Sequence, residues 1–314
     1  MSSSPQIKAE PVPELQCPSL PAEIWIRILS YHEDLTHLWT TCRLVSHTYR
    51  DYVEQMFAEH HLRNTYIDWP LEKYNLGGKS KRPEVTACFS RFEFEERRTT
   101  GKRKKNGQRK AGKEKTKLLD KVMERWEDRV KASNAETPNY TIRLYGVVND
   151  TPLPDLVFDM QRKEIGFDWR AMYTAFFREQ ARLHELKERW RTECDEKEQK
   201  NRVQLAKGEK ISVEDLPKSW PVVEVELKKK IRRARLKEHF KDDEEMKWAI
   251  DSLQYFEDYS KAATFKLLPD IPGAGVGEKW FGSMNLLQGL YLDEWSSMHR
   301  IDTKVEHLAQ EARK

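Results

Sequence analysis

LPAEIWIRILSYHEDLTHLWTTCRLVSHTYRDYV, residues 20–53, packs three short amphipathic helical patterns into one run of chain. Pro21 stands where a first helical turn tolerates a missing N–H, and Ile24 and Ile28 follow at i, i+4 beside Leu29. A second apolar pattern carries Leu35, Leu38, Trp39 and Cys42, with Glu33 and Asp34 at its start, where carboxylates favour the positive end of the helix dipole. Ser46 reads as the N-cap of a third helix, with Tyr49, Val53, Met56 and Phe57 at helical spacing behind it. Three short apolar helices in so little chain cannot bury one another completely, so the pattern calls for a partner surface.

LPAEI, ILSY and CRLVSHTYRDYV resemble an F-box, the helical motif by which substrate receptors dock on a Skp-type adaptor in cullin-RING ubiquitin ligases. The resemblance covers residues 18–58, and Tyr49 keeps an aromatic anchor where the motif usually carries Trp. With IDW and FSRFEFEERR downstream, the whole is similar to F-box proteins of filamentous fungi. The resemblance implies that Leu20, Pro21, Glu23, Ile24 and Ile28 face the adaptor, while Leu29, Leu38, Val45 and Tyr49 hold the three helices together. It implies a non-catalytic subunit that needs no cofactor, reaches cullin through the adaptor and recruits a protein substrate. The competing reading is an F-box interaction or scaffold protein acting outside a ligase.

The chain of 314 residues as a whole is less apolar and more charged than an ordinary globular chain, at 38% hydrophobic and 34% charged. Four cysteines lie far apart without a C-x-x-C spacing, which argues against both a zinc site and a disulfide framework and suits a reducing compartment. No signal-peptide run precedes Leu20 and no apolar run approaches a membrane span, so the expectation is an intracellular protein, cytoplasmic or nuclear, with no membrane partner.

Charge is unevenly placed. Residues 97–117 hold 11 Lys or Arg against the single acid Glu114, a local +10 that leaves −6 for the remainder of a chain whose total is +4. Glycines and the lack of large apolar residues predict an exposed basic loop there. Its centre, Lys102, Arg103, Lys104 and Lys105, is a candidate nuclear-import signal. The absence of an aromatic platform in it argues against nucleic acid as a partner. Residues 1–17 read as a disordered tail in which Lys8 matches the pattern of a SUMO acceptor.

Downstream of the motif the expected fold is mainly α with a small antiparallel β component. Alternation at Thr65, Ile67 and Trp69, at Val85, Ala87 and Phe89, and at Tyr140, Ile142 and Leu144 predicts three strands within a region spanning 59–170. Residues 171–314 read as helical, with one long amphipathic helix from Ala171 to Leu205, a second from Val222 to Lys261, and a third from Ser283 to Arg300. KKKIRRARLK at 228–237 reads as a solvated basic face or a patch for an acidic partner. Catalytic motifs fail on inspection: GAGVGEKW at 273–280 lacks the hydroxyl residue of a P-loop, and His184-Glu185 lacks the second histidine of a metalloprotease helix.

Overall fold

The computed structural model describes residues 20–71, 84–92, 113–159, 161–261 and 283–313. Lys8, the four residues Lys102–Lys105 and the glycine turn at 273–280 lie outside them, as does most of the basic segment 97–117.

Three short helices come first: α1 (Ala22–Ser30), α2 (Leu35–Thr40) and α3 (His47–Met56), with a 3-10 turn at Cys42–Leu44 between the last two. Each start matches its sequence cue. The backbone of Pro21 leads α1, Asp34 Oδ1 accepts from His37 N at 2.9 Å to begin α2, and Ser46 Oγ accepts from Tyr49 N at 3.2 Å to begin α3.

The chain then enters β1 (Thr65–Pro70), which sits inside a four-stranded antiparallel sheet of order β2-β1-β3-β4, with β2 (Glu84–Cys88), β3 (Thr141–Leu144) and β4 (Val147–Asn149). Ile67 pairs with Ala87 on one side and with Ile142 on the other, so the three alternating runs meet in register. Side chains alternate across a strand, and both faces of β1 are covered. Ile67 and Trp69 enter the core, whereas Asp68 on the other face is buried against Arg143 at 3.2 Å and Lys304 at 3.0 Å.

Besides β4, one helix and one hairpin go beyond what the sequence pattern predicts. Helix α4 (Lys113–Lys131) begins inside the segment expected to be loop and buries Met123, Trp126 and Val130. A small hairpin of β5 (Val157–Asp159) and β6 (Glu164–Gly166) then leads to the long helix α5 (Trp169–Ala206), where Asp168 caps the N–H groups of Arg170 and Ala171. The first half of α5 carries Met172, Tyr173, Phe176 and Phe177 into the core. Its second half is mostly exposed and is tied back where Trp190 Nε1 donates to the Lys218 carbonyl at 3.3 Å and Asn201 Nδ2 to that of Asp215 at 3.1 Å.

The expected second long helix is two. α6 (Trp220–His239) stops at Phe240, and α7 (Glu244–Lys261) restarts where Asp243 Oδ1 accepts from Met246 N at 3.0 Å. Apolar spacing continues across the break, so periodicity alone missed it; Asp243 is the N-cap signal. α8 (Met284–Glu311) runs a further three turns beyond the expected end at Arg300. Leu236, Ile250, Leu253, Leu287 and Leu290 join α6, α7 and α8 in a second core.

The arginines of KKKIRRARLK neither face solvent nor form a patch. Arg232 is 3% exposed and binds Asp150 at 3.1 Å; Arg235 binds Asp150 and Glu179, each at 2.7 Å; Arg233 binds Glu294 at 2.5 Å and Glu257 at 3.2 Å. Lys229 joins them on Glu257 at 2.6 Å. The run meets carboxylates from four other segments, and the acids it needs are too distant in sequence to reveal this.

Candidate docking site on the N-terminal helices

Helix α1 has two apolar faces. Leu29 is buried and Ile26 packs on the core, whereas Ile24 is 43% and Ile28 49% exposed. The exposed pair is spaced i, i+4 on one side of the helix. Pro21 and Glu23 are exposed beside them and Leu20 is half-buried. Trp25 leans on Tyr49 with ring centroids 5.3 Å apart, which joins α1 to the first turn of α3.

The expected helix-holding residues divide. Leu29 and Leu38 are buried and Tyr49 is half-buried. Val45 is not a core residue: it is 67% exposed, because it precedes the Ser46 cap at the point where the 3-10 turn gives way to α3. Leu44 and Tyr31 are exposed as well.

What fixes these helices in place lies elsewhere. Trp39 is buried among one ring at the end of α3 and two on α5, with centroids 4.7 Å from Phe57, 5.3 Å from Tyr173 and 6.0 Å from Trp169, and its indole N–H donates to Thr174 Oγ1 at 3.2 Å. Glu54 on α3 receives Arg43 at 2.6 Å and Arg170 at 2.5 Å, one guanidinium on each carboxylate oxygen. Burial alone would raise the Glu54 pKa; the hydrogen bonds and charges of Arg170 and Arg43 outweigh it and hold the carboxyl below its ordinary value. The motif helices therefore share one core with the sheet and with α5. Trp39 stood in the apolar pattern of α2, but its partners on α5 lie more than a hundred residues away, and no sequence signal linked Glu54 to Arg170.

Among the described residues no group of three or more His, Cys, Asp or Glu side chains is placed to hold a metal ion. Burial pushes the thiols of Cys42 and Cys194 up rather than down, the wrong direction for a nucleophile. Among the described residues no helix is long and apolar enough to cross a membrane. No protein-family model, curated protein or solved structure matches this chain.

Proposed function

We propose that this chain is an F-box substrate receptor: a non-catalytic subunit that docks on a Skp-type adaptor, reaches cullin through it and presents a protein substrate for ubiquitination inside the cell. One observation carries the reading. Helix α1 buries Leu29 and turns Ile24 and Ile28 outward at the position where the motif resembles an adaptor-binding helix. A half-exposed aliphatic pair on a helix otherwise anchored to the core offers a partner apolar area without unfolding anything to supply it. The firm attachment through Trp39 and Glu54 supports it too, because a receptor must hold its substrate-bearing region in a fixed relation to its adaptor.

Co-purification of the full chain with a Skp-type adaptor and cullin tests the proposal. Recovery of both is the expected result. Adaptor without cullin selects the scaffold alternative, and recovery of neither overturns the F-box reading.

A further inference from the structure

Far from α1, a cavity of about 400 Å³ opens where the C-terminal end of α6 meets the segment after α4 and the chain leaving β4. That volume falls within the roughly 300–1,000 Å³ of ordinary ligand sites. One wall is apolar and includes Tyr140, Leu153, Leu156 and Leu236. The Tyr140 hydroxyl is engaged, accepting from Leu153 N at 3.0 Å and donating to the Thr151 carbonyl at 3.2 Å, so its ring acts as an apolar surface.

The other wall is charged but balanced. Arg235 is set against Asp150 at 2.7 Å, and at the mouth Arg178 meets Glu238 at 3.3 Å with both side chains more than half exposed. Because these pairs are balanced, a charged ligand would add an uncompensated charge beside them; an uncharged one would not. Arginine carries five N–H donors, and Arg235 uses two of them, on Asp150 and Glu179, which leaves three without an acceptor among the described residues. A ligand that brings carbonyl oxygens therefore gains hydrogen bonds from a guanidinium already desolvated and held in place.

An apolar body, carbonyl acceptors and no net charge together describe a length of peptide. We infer that this cavity binds an uncharged apolar peptide segment, with its side chain against Tyr140 and Leu236 and a backbone carbonyl accepting from Arg235. The site shares no residue with the outer face of α1, so it stands or falls apart from adaptor docking. If both readings hold, it is where a substrate segment is gripped.

The test uses the full chain and two probes, N-acetyl-leucyl-leucinamide and its free-acid counterpart, titrated by calorimetry with saturation-transfer NMR as a second readout. The amide binds, and Ala135→Trp, which places an indole in the cavity, weakens it at least about tenfold with an unchanged far-UV spectrum. Should Ala135→Trp fail to fold, Glu238→Trp at the exposed mouth produces the same loss. Absence of amide binding at millimolar concentration overturns the inference, as does binding indifferent to a folded tryptophan variant. Preference for the free acid, abolished by Arg178→Ala, overturns it in favour of an anion site.

Discussion

Helices α1 and α6 invert each other. α1 carries an aliphatic pair, Ile24 and Ile28, that remains half in water, whereas α6 carries one of the most basic runs in the chain and buries its arginines, with Arg232 almost fully enclosed beside Asp150. On an ordinary helix the apolar stripe goes in and the charges go out. A departure toward exposed apolar area is inexpensive on its own and becomes useful when a partner covers it. A departure toward buried charge is costly unless every charge is matched, and α6 matches Arg232, Arg233 and Arg235 to carboxylates of Asp150, Glu179, Glu257 and Glu294. The first kind of exception is what the proposed docking would use; the second shows how the β4–α5 region and α8 are held together.

That contrast sets the order of expected effects. Arg232→Met leaves Asp150 buried with Arg235 alone and should cost ~3–5 kcal/mol, read from the urea midpoint, because removing one partner of a buried pair strands the other charge. A loss comparable to that of a surface substitution would mean that α6 is solvated after all. Glu54→Gln removes the carboxylate shared by Arg43 and Arg170, with an expected cost of ~1–3 kcal/mol. Its pH dependence carries a sign. A carboxyl held below its ordinary pKa in the folded state stabilises fully above the unfolded value, near 4.5, and loses that contribution as pH falls through the lowered folded value. Acid unfolding below that pH should therefore be shallower in Glu54→Gln than in the parent. The paired Ile24→Ala and Ile28→Ala changes come last in stability, within ~1 kcal/mol, since half-exposed side chains have little burial to lose.

Much of the fold was legible in the sequence where a local period carried it. The alternating runs at 65–69, 85–89 and 140–144 became β2-β1-β3 in register, and the stripe of α5 became the helix against which Trp39 packs. The three-residue strands β4, β5 and β6 are too short to show a period. α4 was missed because its lysine-rich first turn merges with the basic segment before it, although Met123, Trp126 and Val130 keep a helical interval. On the candidate site, the outward placement of Ile24 and Ile28 was legible from the motif, and the exposure of Val45 was not, because it depends on how the 3-10 turn delivers the chain to Ser46. The destination of KKKIRRARLK was illegible for a different reason: a run of like charge says nothing about distant acids, and Asp150 lies 82 residues from Arg232.

The proposed docking of the outer face of α1 is read from the affinity of the purified full chain for a Skp-type adaptor with and without Ile24→Ala and Ile28→Ala. Removing central anchors of an apolar interface costs more than about 2 kcal/mol, roughly 30-fold in Kd. At least that loss is expected in a double variant whose thermal midpoint stays within about 4 °C of the parent. An adaptor complex of undiminished affinity, or no complex with the unaltered chain, would contradict it.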